Sequence, residues 1–183
     1  MPGCPLRCPT DPVDVSIRYA ESVAVGTTLI RRAEPGDCDA VAMLNRDIQQ
    51  EHAEAYPHLF KPASDETLTA SAFAVLLNDP AATTLVVVDD EAVTGYVLAR
   101  EIERTDTPYR FAHRVLYIDQ LCVVWSARRK GHGRRLMEAM KSVAMERGIS
   151  HLELDTWAFN DEARRFFREQ GFRDITIRMA LDE

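Results

Sequence analysis

The sequence predicts a single mixed α/β domain, and three observations lead to that prediction. Its 183 residues are one domain's length and can bury a core without disulfides or metals. Apolar runs that alternate or are rich in β-branched residues are interspersed with runs of helical period. A glycine-containing connection, residues 128–133, joins one strand-like run to one helical run. Strands and helices interleaved in this way pack as a sheet covered by helices.

The first three elements are a strand and two helices. Residues 28–33 are a short run that predicts the first strand. Pro35 opens a helix that continues to about Ala55, because apolar residues recur there at helical spacing. The same periodicity predicts a second helix over residues 65–77.

The middle of the chain predicts three strands and a helix. Residues 83–89 and 93–100 are rich in β-branched residues and are separated by an acidic turn, so we expect a hairpin. After a polar loop, residues 115–124 predict a longer strand, and residues 134–147 carry an apolar stripe of helical period. Gly148 follows this helix as its C-terminal glycine.

The two ends of the chain differ in pattern. Residues 151–157 alternate and predict a strand, residues 161–170 a helix, and residues 172–179 a last strand. Residues 1–26 contain four prolines and no sustained period, so we expect an extension outside the core that is partly disordered. The folded domain is expected to occupy residues 27–183.

Composition limits the classes of function. The net charge of −7 disfavours nonspecific binding to nucleic acid, which needs a basic surface. No apolar run is long enough to span a bilayer, and residues 1–14 lack the apolar middle of a signal peptide, so we expect a cytoplasmic protein without a membrane partner. Cys38 and Cys122 lie in core-like patterns, while Cys4 and Cys8 are better explained as reduced thiols than as metal ligands. No metal is expected.

The connection at residues 128–133 predicts a site for a pyrophosphate group. Its glycines let the backbone approach a ligand, and it ends at a helix N-terminus, where free N–H groups attract anions. A Walker A loop is excluded because Gly133 is followed by Arg134 in place of a lysine. A dinucleotide fingerprint is disfavoured because Leu136 stands where its third glycine belongs.

Two motifs in this order resemble those of the GCN5-related N-acetyltransferase (GNAT) superfamily. Arg128-x-x-Gly131-x-Gly133 is similar to its Arg/Gln-x-x-Gly-x-Gly/Ala motif. Residues 160–172 resemble its Asn-x-x-Ala-x-x-Phe-Tyr-x-x-x-Gly-Phe segment, with Phe167 at the tyrosine position. The resemblance implies a central, mostly antiparallel twisted sheet flanked by helices. It also implies acetyl-CoA as cosubstrate and direct attack by an amine in a ternary complex.

The resemblance assigns cofactor contacts to the strand end, the glycine loop and the last helix. These residues are Leu121, Cys122, Val123, Arg128, Arg129, Lys130, Gly131, His132, Gly133, Arg134, Asn160 and Phe167. In the strand and the loop we favour main-chain contacts, because for any single basic side chain a solvated surface is the favoured interpretation. Asn160 precedes a helix with an acidic first turn, so it is equally well explained as an N-cap.

Acid–base chemistry is assigned to the strand before the loop. Asp119 stands where related strands carry a carboxylate that deprotonates the amine, although an ordinary ion pair would also explain it. Alternation predicts that Tyr117, Asp119, Leu121 and Val123 share one face. Phe167 has no proton to donate to a thiolate, so Tyr117 or solvent would have to supply it.

The acceptor is expected to bind near the first helices, at His52, Tyr56 and Phe60. The predicted function is an N-acetyltransferase acting on a primary amine, more readily of a small molecule than of a protein. The alternatives are a noncatalytic acetyl-CoA-binding domain and a protein N-terminal or lysine acetyltransferase. Dimers are common among relatives, so a homodimer is one expected assembly.

Overall fold

The computed structural model describes residues 28–181, and it confirms the predicted mixed α/β fold. A five-stranded sheet has the order β1-β2-β3-β4-β5, antiparallel except that β5 runs parallel to β4. The strands are β1 (Leu29–Arg32), β2 (Ala82–Asp89), β3 (Ala92–Arg104), β4 (His113–Val123) and β5 (His151–Leu154). The helices are α1 (Cys38–Ala55), α2 (Ala70–Leu77), α3 (His132–Glu146) and α4 (Asp161–Glu169). The expected extension at residues 1–26, with Cys4 and Cys8, lies outside the described residues.

Helices cover both faces of the sheet and create two apolar clusters. One cluster joins α3 to the sheet through side chains such as Leu116, Leu136 and Met140, with residues of α4 packed against its border. The other joins α1 and α2 to the opposite face through Val41 and Phe73. The period of the apolar stripes explains this arrangement, because each helix buries one side against the sheet.

Helix α2 begins later than its apolar period predicts. The helix starts at Ala70, and residues 65–69 form turns and an extended lead-in instead of the expected first turn. Thr69 sets the boundary, since its side-chain oxygen accepts a hydrogen bond from the amide of Ala72 at 3.1 Å. A capping residue of this kind overrides an apolar period that extends beyond it.

An extra residue in β4 reverses its alternation. Leu98 of β3 is paired with Gln120, but the next residue, Ala99, is paired with Ile118, so Asp119 is the inserted residue of a β-bulge. Leu121 therefore packs on the same side as Ile118, against the α3 cluster. The expectation that Tyr117 and Asp119 share a face with Leu121 and Val123 is wrong, because one extra residue shifts the period of two.

The predicted last strand does not form. Residues 172–181 have no regular secondary structure, although they carry the alternation of a strand. Ile175, Ile177 and Met179 are exposed to 67%, 79% and 89%. A strand needs a neighbour to pair with, and within residues 28–181 this segment has none.

Candidate active site

Strands β4 and β5 separate partway along β4. They pair only where residues 115–118 lie beside residues 151–154. Beyond this point β4 continues to Val123 along β3, while the chain after β5 turns away toward α4. The gap between the separated strands is called the opening. On the side of β4 that faces it, residues 119–123 have no strand partner among the described residues. An extended ligand with amide groups can pair there as an added strand would.

The connection from β4 to α3 presents a row of backbone amides. The chain makes a 3-10 turn at Trp125–Ala127, and α3 begins at His132. Within residues 28–181, none of the amides from Arg129 to Arg134 donates a hydrogen bond to the protein. Free amides beside the positive end of a helix dipole attract phosphate oxygens. The backbone therefore fits the predicted pyrophosphate contact.

The two glycines of this loop serve different purposes. Gly131 caps α3 with φ 88° and ψ 1°, a left-handed conformation that favours glycine. Gly133 lies under the ring of Phe166, and a Cβ there would approach ring carbons at 3.3 and 3.4 Å. Gly131 therefore allows the turn, while Gly133 allows α4 to pack closely on α3.

The side chain of Arg128 links three parts of the site. Its Nε donates to the carbonyl of Val123 at 3.2 Å, and its guanidinium lies 4.8 Å from the ring centroid of Trp125. Its terminal nitrogens lie 3.0 Å from Glu51 of α1 and 3.6 Å from Glu162 of α4. Arg128 thus ties α1 and α4 together across the end of β4, and a contact between its side chain and a ligand would replace one of these partners.

His132 points into the protein, whereas Arg129 and Lys130 of the same loop are exposed. Its side chain is 3% exposed, and neither ring nitrogen has a hydrogen-bond partner within the described part of the chain. Burial lowers the pKa of His132, against the opposing effect of the Asp89 carboxylate 3.6 Å away. His132 can therefore contribute only its backbone amide to an anion, while Lys130, 4.0 Å from Asp89, is exposed at the surface.

The carboxylate of Asp119 is held by two hydrogen bonds from Arg100. The distances are 2.7 Å from Nε to Oδ2 and 2.6 Å from Nη2 to Oδ1, and Asp119 keeps 16% of its side chain exposed. This contact raises the pKa of Arg100. Arg100 is two residues from Leu98 and directly opposite Tyr117, so the pair lies on the α1 side of the sheet. The sequence did not indicate this partner, because the register between β3 and β4 determines which residue of β3 lies beside Asp119.

Tyr117 is half-buried near the start of the opening. Burial, followed by the nearby carboxylate of Asp155, raises the pKa of Tyr117 to about 12. Its hydroxyl therefore keeps its proton throughout the neutral range. Asp155 is the first residue after β5, and its contribution was not anticipated from the sequence.

A buried polar cluster lies between β4 and α1. Tyr96 donates to Oε1 of Gln120 at 2.6 Å, and Asn45 donates to the same oxygen at 3.1 Å. The thiol of Cys122 lies beside it and donates to the carbonyl of Leu44 at 3.6 Å, and burial raises its pKa to about 12. Asn45 interrupts the apolar stripe of α1, a signal in the sequence that sequence reasoning missed.

Residues of α4 have clear structural roles. Asn160 is the N-cap, with Oδ1 accepting from the amide of Ala163 at 2.9 Å. Phe167 packs between Phe166 and Phe172, with ring centroids 5.2 and 5.7 Å apart. The N-cap interpretation of Asn160 is confirmed, and the cofactor contacts of Asn160 and Phe167 stay predictions.

The three predicted acceptor residues come together in an aromatic cluster. His52 lies 5.0 Å from Phe60 between ring centroids, and Tyr56 lies near both Trp157 and Phe159, at 5.8 and 5.4 Å. Trp157 and Phe159 come from the loop that leaves β5, so the cluster adjoins the opening between β4 and β5. Trp157 and Phe159 were not identified from the sequence, because α1, the helix that carries His52, is far from them along the chain.

Two further features are absent from residues 28–181, a cluster of metal-ligating side chains and a membrane-spanning helix. No three His, Cys, Asp or Glu side chains are grouped so as to hold a metal ion. No helix in this part of the chain combines the length and apolar content that crossing a bilayer requires.

Known proteins share both the sequence pattern and the fold. The chain is 36% identical over 63 residues to the "Uncharacterized N-acetyltransferase YhfO" of Bacillus subtilis, a match over 34% of this chain and 42% of that protein. The tetramutant of the BH1408 protein from Bacillus halodurans superimposes with a TM-score of 0.81 and 29% identity, over 85% of this chain and 99% of that chain.

The fold also matches a structure that contains CoA. Aminoglycoside N-acetyltransferase AAC(6')-Iy in complex with CoA has a TM-score of 0.66 and 14% identity, over 89% of this chain and 99% of that chain. At this identity the likeness concerns the fold alone. The model of the acetyltransferase (GNAT) family matches residues 45–172. Because this match covers more than half of the chain, the protein belongs to the acetyltransferase (GNAT) family.

Proposed function

We propose that this protein is an acetyl-CoA-dependent N-acetyltransferase whose acceptor is a primary amine. The observation that carries the proposal is the free amide row from Arg129 to Arg134, placed beside the unpaired edge of β4. Together these groups match the two polar parts of the cofactor, a pyrophosphate and a chain of amides. Family membership supports the same conclusion.

The chemistry is the attack of a neutral amine on a thioester. A carbon–nitrogen bond forms, the carbon–sulfur bond breaks, the amine loses a proton and the thiolate gains one. Asp119 is proposed to receive the amine proton, either directly or through water. Its two hydrogen bonds with Arg100 fix the orientation of the carboxylate.

Protonation of the thiolate is proposed to involve Tyr117 or solvent. Phe167 supplies no donor, and its ring is packed among other aromatic rings. If Tyr117 is the donor, Tyr117→Phe should lower turnover about a hundredfold, because the change keeps the ring and removes only the hydroxyl. A variant as fast as the unchanged protein would assign the proton to solvent. Phe167→Tyr is the companion variant, since it restores a phenol at the position where relatives carry one.

The acceptor is proposed to be a small amine that binds against the aromatic cluster of His52, Tyr56, Phe60, Trp157 and Phe159. Aromatic faces attract ammonium groups before they are deprotonated. Thiol release with a panel of arylalkylamines, polyamines, aminoglycosides and peptides with free N-termini identifies the acceptor. The peptide arm tests the alternative of a protein acetyltransferase.

The noncatalytic alternative is favoured by one observation, the missing hydroxyl at Phe167. Measuring acetyl-CoA binding by calorimetry and free thiol release with the amine panel distinguishes the two functions. An enzyme binds acetyl-CoA and releases thiol when an amine is added. Tight binding without thiol release above background for every amine would instead support a sensor of acetyl-CoA.

A further inference from the structure

The β-bulge of β4 places two polar side chains of different hydrogen-bonding character side by side. Asp119 is the inserted residue, and Gln120 follows it, paired with Leu98 of β3. Leu98 packs in the apolar cluster beneath α1, so Gln120 lies on the α1 side of the sheet, as Asp119 does. A bulge interrupts the alternation of a strand and allows this arrangement. The ionised carboxylate of Asp119 only accepts hydrogen bonds, whereas the amide of Gln120 can also donate them.

Contacts with the core fix the orientation of the Gln120 amide. Its oxygen, Oε1, accepts hydrogen bonds from Tyr96 at 2.6 Å and from Asn45 at 3.1 Å. Tyr96 and Asn45 are 0% and 7% exposed, and Asn45 also donates to the Tyr96 hydroxyl at 3.3 Å. Because both donors meet Oε1, the NH2 group of Gln120 is turned to the other side of the amide.

The NH2 group of Gln120 is a donor without a protein partner. Within residues 28–181, its nitrogen Nε2 donates no hydrogen bond. It is also not one of the fully buried polar atoms that lack a partner in this part of the chain, so solvent reaches it. A ligand can therefore accept a hydrogen bond from Nε2 without displacing any protein contact.

The proposed path of the cofactor ends at these two residues. Its pyrophosphate is expected at the free amides of residues 129–134, and the unpaired edge of β4 runs from Val123 back to Asp119. The edge ends where β4 and β5 begin to pair, at Ile118 and Leu154. A cofactor that follows this edge as an added strand brings its thioester to the level of Asp119 and Gln120.

We infer that Gln120 is a catalytic residue whose Nε2 donates a hydrogen bond to the thioester oxygen, an inference that rests on the proposed acetyl transfer. When the amine nitrogen attacks, a carbon–nitrogen bond forms and an electron pair of the carbonyl moves to its oxygen. Asp119 accepts the amine proton while Gln120 stabilises the oxyanion. The electron pair then returns, the carbon–sulfur bond breaks, and the sulfur leaves as a thiolate that is afterwards protonated.

Tyr96 and Asn45 act through Gln120 as positioning residues. A donor whose orientation is fixed before the reaction stabilises developing charge without first having to reorient. Burial raises the pKa of Tyr96, so its hydroxyl keeps its proton and remains a donor to Oε1. The Gln120 amide consequently stays in the orientation that leaves Nε2 free.

Turnover of three variants tests the role of Gln120. Gln120→Glu keeps an oxygen for Tyr96 and Asn45 but removes the N–H donors, so turnover should fall about a hundredfold or more with nearly normal acetyl-CoA affinity. Tyr96→Phe keeps the donor and loosens its orientation, so its loss should be smaller. Gln170→Glu adds the same charge at the C-terminal end of α4 and should retain turnover. Normal turnover in Gln120→Glu would overturn the inference.

Infrared spectroscopy of bound acetyl-CoA tests the contact without an amine. With an isotope label at the carbonyl carbon, the stretching frequency should be lower in the unchanged protein than in Gln120→Glu, because the hydrogen bond weakens the carbonyl bond. The uncharged variant Gln120→Met should also show the higher frequency, and Gln170→Glu should match the unchanged protein. Equal frequencies in all four proteins would overturn the inference. The lower frequency in a protein that releases no thiol with any amine would support the contact and reject the proposed activity.

Discussion

The cofactor side and the acid–base side of the candidate site are built in different ways. The cofactor side is a continuous piece of backbone, with free amides from Arg129 to Arg134 at the start of α3. The acid–base side consists of side chains from separate elements, such as Asp119 of β4 with Arg100 of β3. A local backbone feature follows from local sequence, whereas a side-chain arrangement depends on how distant strands align. The two sides should therefore respond differently to substitution.

The largest effect is expected on the acid–base side. If Asp119 accepts the amine proton, Asp119→Asn should lower turnover roughly a hundredfold or more and leave acetyl-CoA affinity nearly unchanged. Steady-state rates and calorimetry measure the two quantities separately.

Arg100→Gln is the comparison variant, because it removes the same ion pair but keeps the carboxylate. If the ion pair matters only for structure, both variants should lose activity and melting temperature equally. A base at Asp119 predicts instead that Arg100→Gln loses much less activity than Asp119→Asn, because the carboxylate remains although its orientation is less fixed.

The second effect should fall on the cofactor side and leave a different signature. Gly131→Asp adds a negative charge beside the free amides and a side chain at φ 88°. We expect acetyl-CoA affinity to fall about thirtyfold, since about 2 kcal/mol of binding free energy is lost. Titration calorimetry measures the affinity.

Gly148→Asp provides the control for backbone strain. Gly148 also has a positive φ, 65°, with open space around it, but it lies at the other end of α3. Both variants should lose some thermal stability, and only Gly131→Asp should lose affinity. Equal affinities in the two variants would contradict the assignment of the amide row to pyrophosphate.

The sequence predicted local backbone features correctly and missed arrangements that depend on how distant strands align. The order of strands and helices and the Arg128-x-x-Gly131-x-Gly133 loop were evident from local patterns. The bulge at Asp119 was not predicted, although two consecutive polar residues, Asp119 and Gln120, separate Ile118 from Leu121 and break the alternation of β4. The last strand was predicted from the alternation of Ile175 and its neighbours, but pairing depends on an edge elsewhere. The strand propensity of a segment shows that it can form a strand, and the availability of a partner strand determines whether it does.

His132 allows the backbone and side-chain contributions of one residue to be separated. Its folded-state pKa is lowered from 6.5 by burial, so its contribution to stability is complete above pH 6.5 and is lost as the pH falls through the folded pKa. His132→Leu should reduce the loss of melting temperature between pH 7 and pH 5. It should leave the free energy of unfolding at pH 7 unchanged or about 1 kcal/mol higher, because two unpaired ring nitrogens are removed.

The same variant should bind acetyl-CoA normally, because the amide of residue 132 is retained. His58→Leu serves as the control, since it makes the same substitution at an exposed histidine outside the loop. Weakened acetyl-CoA binding in His132→Leu would show that the ring, and not only the backbone, supports the anion site.

The smallest effect concerns Asn160, where the cap and the cofactor contact can be distinguished. Asn160→Ala removes the acceptor for the amide of Ala163 and should lower the free energy of unfolding by about 1 kcal/mol. Asn160→Asp keeps an oxygen that caps the helix, so it should preserve stability. Thermal or urea unfolding measures this difference.

Acetyl-CoA binding then distinguishes the cap from the cofactor contact. If Asn160 is only a cap, both variants bind acetyl-CoA with unchanged affinity. If its amide group also donates to the cofactor, both should bind more weakly, including the aspartate variant whose stability is intact. Weaker binding with intact stability in Asn160→Asp would mean that a side chain at the start of α4 contacts the cofactor in addition to the backbone of α3.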